Sequence, residues 1–346
     1  MPGEEASAEY NRTACLISRA LRSTEFRLFC AFCVLSAAFS ILYPTTFPTA
    51  ANVANMSRVA GVLFVVTAGQ MCALLVGGFD LSVASNIGFV GVVTALGMTR
   101  YGGLPSGLMM GLVTGALIGL VNGGLIAWAR LSPFIVTLGM LSFLLGFGNE
   151  IAHGAPIFGF PNGFEYLAVR DWGPVPAPVA ISGIVLILLW MLLARSKIGL
   201  YLYAIGAGRE ACRAAGVPVA RYEVIAYIVC GILAGLAGVM ELSRVSVGYV
   251  TNGQSYLLPS IAAAVIGGTA IGGGAGTLRG VVLGVSVLTV LSTGMDIAGL
   301  NEFYQRMVTG SVIVLSVLVS RRSNWPTLFS CPSAVPNPRA ASETRS

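Results

Sequence analysis

The sequence predicts an all-α fold, a polytopic transmembrane helical bundle of about ten spans. Three observations carry this prediction. Apolar residues make up 55% of the 346 residues and charged residues only 10%, whereas soluble domains have about 45–50% and about 25%. The apolar residues form blocks close to the ~20 residues that a helix needs to cross a bilayer. The 44 glycines favour close helix packing, because packing rather than water exclusion drives helix association in lipid.

The individual spans follow from the residues that interrupt the apolar blocks. Pro44 and Pro48 end the first block, and Gly77 and Gly78 end the second. Residues 152–176 are rich in Gly, Pro and aromatic residues, which is typical of a loop outside the membrane. The predicted spans are 26–43, 59–76, 81–98, 104–128, 134–147, 179–193, 224–240, 258–275, 280–295 and 304–319.

The positive charges predict the orientation of these spans. Ten crossings place both termini on one side, and 15 of the 20 Lys and Arg residues fall on that side, leaving five on the other. Because basic residues accumulate in the cytoplasm, we expect both termini to be cytoplasmic. The bases are scattered singly rather than gathered in a patch, so the net charge of +6 does not indicate a nucleic-acid partner. The predicted organisation is a cytoplasmic tail (1–25), a transmembrane domain (26–322) and a disordered cytoplasmic tail (323–346).

A polar island, residues 195–223, separates the sixth and seventh predicted spans and carries five basic residues. Within it the sequence predicts a short helix from Arg209 to Ala215. Gly216, which tolerates positive φ, and Pro218, which cannot continue a helix, would end it. About two turns of helix are unstable alone in water, because nucleation costs more than so few hydrogen bonds return. This helix therefore needs a surface to pack against.

The residue types on this helix suggest two interpretations. Its charge comes from Arg209, Glu210 and Arg213, and its small apolar residues are Ala211, Ala214 and Ala215. A small apolar face beside charges suits close packing against another protein rather than lipid. The alternative is an ordinary solvated connector that is rich in alanine.

The stretch GGFDLSVAS at 77–85 contains an aspartate among apolar residues. A charged side chain at a helix centre costs ~2.5–3.5 kcal/mol on insertion scales. Asp80 follows Gly77 and Gly78. Its carboxylate could cap the next helix by binding the free backbone amides of that helix, with help from Ser82. A direct role in gating or in substrate contact is the alternative.

Uncharged hydrogen-bonding residues within the spans are candidates for lining a solute pathway. A neutral polyol is recognised by donors and acceptors and must also be released. Residues of the same types also form hydrogen bonds between transmembrane helices, and this alternative stays open for each of them. The candidates are Gln70, Asn86, Asn122, Thr137 and Asn149.

Three motifs carry a resemblance to a known family. They are GGFDLSVAS at 77–85, PFIVTLGM at 133–140, and the run from GLYLYAIGAGREACRAAGV to AAVIGGTAIGGGAGTLRG, spanning 199–280. Their order and spacing resemble the ribose-type permease subunits of bacterial ABC (ATP-binding-cassette) sugar importers, over roughly residues 26–322. By this resemblance the protein is a permease of the bacterial inner membrane that imports a monosaccharide or a related polyol.

The resemblance also implies partners for this chain. Such permeases work with an ABC ATPase subunit, a periplasmic sugar-binding protein and a second permease copy or paralogue. The polar island then corresponds to the coupling loop that enters a cleft on the ATPase. The residues that match this loop are Arg209, Glu210, Ala211, Arg213, Ala214 and Gly216.

Other functional classes are disfavoured by what the sequence lacks. No GxxxxGK[ST] motif is present, so we expect ATP and Mg²⁺ to be bound by the partner ATPase and this chain to have no cofactor. The seven cysteines and the single histidine show no metal-site or catalytic spacing, which predicts a non-enzymatic subunit. A secondary transporter driven by an ion gradient stays open as the alternative function. It would place ionisable pairs deep within its spans, whereas Asp80, Glu150, Glu241 and Asp296 lie near predicted span ends.

Overall fold

The structure, a computed structural model, describes residues 24–323. The predicted tails 1–25 and 323–346 lie outside the described residues, apart from the three residues that join them to the first and last helices. Twelve α-helices account for most of the described part. They are α1 (Thr24–Leu42), α2 (Ala50–Leu75), α3 (Val83–Arg100), α4 (Leu104–Ala127), α5 (Pro133–Ile151), α6 (Ala177–Arg195), α7 (Lys197–Ala207), α8 (Arg209–Ala214), α9 (Val219–Val245), α10 (Leu257–Ile266), α11 (Leu278–Ile297) and α12 (Glu302–Ser323).

Eight of the described helices are long and apolar enough to cross a membrane, namely α1 to α6, α9 and α11. Each overlaps one of the spans predicted from the sequence, so the all-α transmembrane bundle is confirmed. The remaining two predicted spans, 258–275 and 304–319, correspond to α10 and α12. Helix α12 contains the whole of its predicted span.

The prediction of a continuous span at 258–275 is wrong. The chain runs through a 3-10 helix, Val250–Tyr256, and then through α10, which is ten residues long. After α10 it turns at Gly268, whose φ is +88°, and again at Gly273 and Gly274. Positive φ cannot continue a right-handed helix, so these glycines end it, although they do not interrupt the apolar pattern of the sequence. The predicted span therefore covers a helix and a loop.

Helix α2 lies at the centre of the bundle. Every residue from Gly61 to Leu75 is buried, whereas α1 buries only Leu28 among its 19 residues. Helices α6, α9, α10 and α11 surround α2 and contribute to the same apolar core. The more exposed α1 presents its apolar side chains outward, as expected for a helix that faces lipid.

Helices α4 and α9 pack closely against each other through glycines. Helix α4 has a glycine at every fourth position from Gly107 to Gly123, which aligns them on one face. A Cβ on Gly119 would overlap the carbonyl oxygen of Tyr227, and one on Gly115 would lie 2.7 Å from the Gly231 carbonyl oxygen. These glycines let the two backbones touch, which is how small residues bring transmembrane helices together.

The bundle has two distinct ends. The polar island lies between the C-terminus of α6 and the N-terminus of α9, and this end is called the island end. At the other end, the loop 152–176 contains a short antiparallel hairpin, with strand β1 (Asp171–Trp172) paired to β2 (Val175–Pro176). Arg58 of α2 holds this hairpin through an ion pair to Asp171 of 2.7 Å. This end is called the hairpin end.

Candidate functional site

The short helix predicted in the polar island is present as α8, Arg209–Ala214, and none of its residues is buried. Gly216 follows it with a φ of +78°, the left-handed conformation that the sequence predicts for the helix stop. Ala211 and Ala214 of this helix and Ala215, which follows it, are all exposed at the surface. An uncovered, alanine-rich turn of helix is thus available to a partner.

An ion pair fixes α8 to the membrane helices. The guanidinium of Arg209 donates to the carboxylate of Glu223 over 2.8 Å, and the Glu223 side chain is only 4% exposed. Arg213 and Glu210 form a second pair within α8, which is exposed on both sides. The first pair connects the start of the short helix to the second turn of α9.

Helix α7 is a feature of the polar island that the sequence analysis missed. Ser196 caps it, because its hydroxyl accepts hydrogen bonds from the amides of Ile198 and Gly199. A serine directly before an apolar, aromatic-rich segment is the usual sign of a helix start and could have revealed it. Leu202 and Ile205 of this helix are buried, so one side of it packs into the bundle.

Helix α7 contacts two glycine-rich loops that join membrane helices. A Cβ on Gly206 would overlap both the carbonyl oxygen of Leu75, at the end of α2, and the nitrogen of Gly274. The Gly274 amide donates to the same Leu75 carbonyl over 2.9 Å. The hydroxyl of Tyr203 donates to the carbonyl of Gly276 over 2.9 Å. The loop after α2 and the loop after α10 therefore meet each other and the polar island at one place.

Asp80 is buried in the loop between α2 and α3. Its Oδ1 accepts two hydrogen bonds from Ser82, one from the backbone amide (2.9 Å) and one from the hydroxyl (2.6 Å). Ser82 itself occupies the cap position of α3 and makes no side-chain cap bond. The carboxylate thus binds the amide of the cap residue and not an amide within α3, and the choice between capping and gating stays open. Its Oδ2 has no partner within the described chain.

The neighbouring glycines explain how this loop fits. Gly77 has a φ of +78°, which a glycine adopts without strain. At Gly78 a Cβ would overlap the hydroxyl of Tyr227 from α9. That hydroxyl donates to the carbonyl of Phe79 over 3.3 Å. Gly77 therefore allows the turn, and Gly78 leaves room for the hydroxyl of Tyr227.

The structure brings three of the five pathway candidates to the Asp80 loop. Gln70 pairs with the backbone nitrogen and oxygen of Asp80 when its amide is oriented to satisfy both, at 3.3 and 3.1 Å. The amide of Asn122 donates to the hydroxyl of Ser82 over 2.8 Å. Thr137 reaches the Phe79 carbonyl at 3.5 Å and bonds within its own helix at 2.8 Å. All three are fully buried and link α2, α4 and α5 to the loop.

The other two candidates lie apart from this loop. Asn86 is fully buried and donates to the Gly231 carbonyl of α9 over 3.4 Å. Asn149 donates to the Leu145 carbonyl one turn earlier in its own helix, over 2.9 Å. In this conformation the buried candidates act as interhelical hydrogen-bonding groups, and their part in a pathway stays a prediction.

A polar cleft at the hairpin end was not predicted. It lies between the start of α2, the end of α9, the 3-10 helix and the second half of α11, and it has a volume of about 430 Å³. Thr289, Ser292 and Thr293 contribute hydroxyl groups from α11. Their spacing of three and four residues places them on one face of the helix, and this pattern in an apolar segment was the available signal.

Comparisons with known proteins agree with the motifs. Residues 52–317 match the protein family described as branched-chain amino acid transport system / permease component. The chain is 35% identical to the ribose import permease protein RbsC of Escherichia coli strain K12, over 84% of this chain and 92% of the relative. The L-arabinose transport system permease protein AraH of the same strain is 32% identical, over 86% of this chain and 90% of the relative. The D-allose transport system permease protein AlsC, also of this strain, is 30% identical, over 83% of this chain and 89% of the relative.

No solved structure matches this chain. The family match covers all three motifs that carry the resemblance, and the relatives are covered over nearly their whole length. The resemblance to ribose-type permeases is therefore confirmed, and the chain belongs to the family of ABC-transporter permease components.

Proposed function

We propose that this chain is the membrane-spanning permease subunit of an ATP-driven importer for a monosaccharide, either a pentose, a hexose or a sugar alcohol. The observation that carries the proposal is the similarity, over most of each chain, to permeases named for the import of ribose, arabinose and allose. These three sugars differ in size and stereochemistry, so the shared property is the class of solute. The chain forms the translocation pathway and takes its driving force from a separate ATPase that binds ATP and Mg²⁺.

The proposed contact with the ATPase is helix α8. Its exposed alanines allow close approach, and its short exposed ion pair between Arg213 and Glu210 offers charge to a partner. The buried carboxylate of Glu223 holds the start of the helix through Arg209. A short helix fixed in this way transmits a push or a pull instead of bending away from it.

The proposed route of the movement runs through α7. Gly206 places α7 directly against the loops that follow α2 and α10, at Leu75 and Gly274. A displacement of the polar island would shift both loops together, because they also share the hydrogen bond between these residues. Loops between helix segments are where transporters commonly change conformation around the solute.

The proposed orientation follows the charges and the partners. The island end carries the larger share of Lys and Arg and faces the cytoplasm with both termini, where the ATPase is found. The hairpin end faces the periplasm and receives sugar from a binding protein. A second copy of this chain or a paralogue completes the pathway in the bacterial inner membrane, as the resemblance to ribose-type permeases implies.

The proposal is tested by reconstitution in liposomes. The full chain is combined with the ATPase and the binding protein of the proposed importer, and uptake of radiolabelled D-ribose, D-allose and L-arabinose is measured. We expect uptake of at least one sugar that requires ATP and persists when ionophores remove ion gradients. Liposomes without the ATPase are the control. Uptake that needs an ion gradient and ignores ATP would instead establish a secondary transporter.

A further inference from the structure

The polar cleft at the hairpin end combines an open volume with hydrogen-bonding groups that no other described residue uses. Among the described residues, the side chains of Asn55, Ser255, Ser292 and Thr293 line the cleft and make no hydrogen bond. These groups come from α2, from the 3-10 helix and from α11. A wall with so many unused donors and acceptors is unsuited to lipid chains, because polar groups exposed to hydrocarbon are costly.

Thr289 gives an independent indication of a ligand. It lies on the same face of α11 as Ser292 and Thr293, lines the cleft and is only 4% exposed. Its hydroxyl is buried and has no hydrogen-bond partner within the described chain. Buried hydroxyls are normally paired, so an unpaired hydroxyl in the wall of a cleft indicates a site whose polar groups are not all satisfied by the chain.

Of the two charged groups of the cleft, Arg244 is neutralised by the chain. It donates twice to Glu241, over 2.8 Å each, and the hydroxyl of Tyr256 binds the same carboxylate over 2.7 Å. Asp296 is exposed, keeps its charge and accepts a hydrogen bond of 2.6 Å from the amide of Gln305. The other free groups of the cleft are uncharged hydroxyls and amides, which together with one carboxylate suit a neutral polyol better than an anion.

We propose that this polar cleft is a binding site for a neutral polyol at the hairpin end, with the hydroxyls of Ser292 and Thr293 as direct contacts to the solute. The site deepens the proposed function, on which it rests, because a sugar leaving a binding protein would meet this end first. The volume of about 430 Å³ is within the ~300–1,000 Å³ range of small-molecule sites. The solute would pair the hydroxyls of Ser292 and Thr293 and the free groups around them.

One test uses protection of a thiol and does not depend on transport. Ser292→Cys is introduced into the full chain in membranes, and its reaction with a maleimide is measured by mass spectrometry on the peptide that carries the change. We expect D-ribose, D-allose or L-arabinose to slow the reaction. Ser286→Cys is the matched control, because Ser286 lies on the same helix but lines a separate groove beside Phe64 and Leu186. Equal reaction of the Ser292→Cys thiol with and without each sugar would overturn the proposal.

A second test uses the kinetics of uptake. Thr293→Val keeps the shape of the side chain and should fold, because the Thr293 side chain makes no hydrogen bond within the described residues. We expect the KM for sugar to rise by roughly 2-fold to 10-fold, the range of one hydrogen bond, with little change in maximal rate. Ser286→Ala should leave the KM unchanged.

The two tests separate the cleft from the proposed function. Normal ATP-driven uptake, with an unchanged KM in Thr293→Val and no protection of the thiol, would overturn the proposed binding site and leave the proposed function intact. Absence of ATP-driven uptake of all three sugars in the unmodified chain would overturn the proposed function. In that case, thiol protection by a sugar would still support the cleft, and lack of protection would overturn it.

Discussion

Asp80 is a carboxylate buried among apolar helices, and its contacts explain how the chain tolerates it. Two hydrogen bonds from Ser82 and the pairing of its backbone with Gln70 hold the loop between α2 and α3. Helices α4 and α9 add bonds from Asn122 and Tyr227 to the same loop. The residue thus organises a meeting point of four helices, whichever further role it has in transport.

Removing the Asp80 carboxylate should destabilise this meeting point. In Asp80→Ala the amide and hydroxyl of Ser82 lose their acceptor, and an unpaired buried group costs about 1–3 kcal/mol. Asp80→Asn keeps an oxygen acceptor and should lose less. We expect the thermal stability of the purified chain to fall from the unmodified protein to Asp80→Asn and further to Asp80→Ala. Uptake per inserted molecule should be retained in Asp80→Asn. An Asp80→Asn variant of normal stability without uptake would favour the gating interpretation.

Gly206 is the residue at which the polar island touches the membrane loops. A methyl group there would overlap backbone atoms of Leu75 and Gly274, which cannot move as a side chain can. We expect Gly206→Ala to lower the free energy of unfolding by about 1–3 kcal/mol, as overpacking does. Gly139→Ala on α5 is the control, because nothing lies within 4 Å of its added Cβ. Thermal unfolding in detergent measures both, and equal stability of the two variants would contradict the tight contact.

Helix α8 is the element that connects the sequence argument to the proposed function. Its position and its glycine stop were predicted from residue types, because both depend on local backbone preferences. Helix α7 and the ion pair from Arg209 to Glu223 were not predicted. The pair joins residues 14 positions apart across a turn, and only the path of the chain reveals that they meet.

Changing the charge of α8 should uncouple transport from ATP. In Glu210→Lys the pair with Arg213 is replaced by repulsion, and the surface offered to the ATPase changes sign at this position. We expect ATP-driven uptake to be lost while the amount of chain inserted in the membrane is unchanged. Glu302→Lys is a matched control, because it breaks the similarly exposed pair with Arg306 at the hairpin end. Normal ATP-driven uptake by Glu210→Lys would count against the docking role.

Gly216, which ends α8, should also be needed for ATP-driven uptake. Gly216 has a φ of +78° and no atom near its added Cβ, so only the backbone conformation opposes a side chain there. A β-branched residue in this conformation costs at least the roughly 1–2 kcal/mol of left-handed backbone. We expect Gly216→Val to remove uptake without preventing insertion, as measured by uptake and by the amount of chain in the membrane fraction. Full uptake would show that the helix end is not needed.

The proposals place the contact with the ATPase at one end of the molecule and the solute site at the other. The island end presents α8, and the hairpin end presents the polar cleft and a loop held by Arg58 and Asp171. The connection between them is the buried helix α2, which runs from the cleft to the glycine loops. A force applied at Gly206 acts on the end of the same helix whose start lines the cleft.

The proposed orientation can be measured with the native thiol of Cys212 in α8, which is partly exposed. A membrane-impermeant maleimide should label it in inside-out vesicles and leave it unlabelled in intact cells. Asp171→Cys in the hairpin should show the opposite pattern. Both are quantified on the labelled peptides, because Cys30 and Cys33 are also exposed. Labelling of Cys212 from outside the cell would reverse the topology and remove the docking proposal.

The sequence by itself determined the class of fold, most of the spans, the short helix at 209–214 and the family. These depend on composition, on local backbone preferences and on motifs, all of which are read along the chain. The glycines at 268, 273 and 274 show the limit of this approach, because an apolar segment that contains them fits a span by hydropathy and is broken by backbone geometry.

The tertiary structure alone decided which polar groups are already paired and which are free. Gln70, Asn122 and Thr137 were candidates by residue type, yet Gln70 and the amide nitrogen of Asn122 bind the Asp80 loop, and Thr137 bonds mainly within its own helix. Thr289 and its neighbours resembled ordinary helix residues, yet they line a cleft with their hydroxyls unused. The physical reason is that a hydrogen bond depends on the position of two groups in space, and residues far apart in the sequence provide most of those positions.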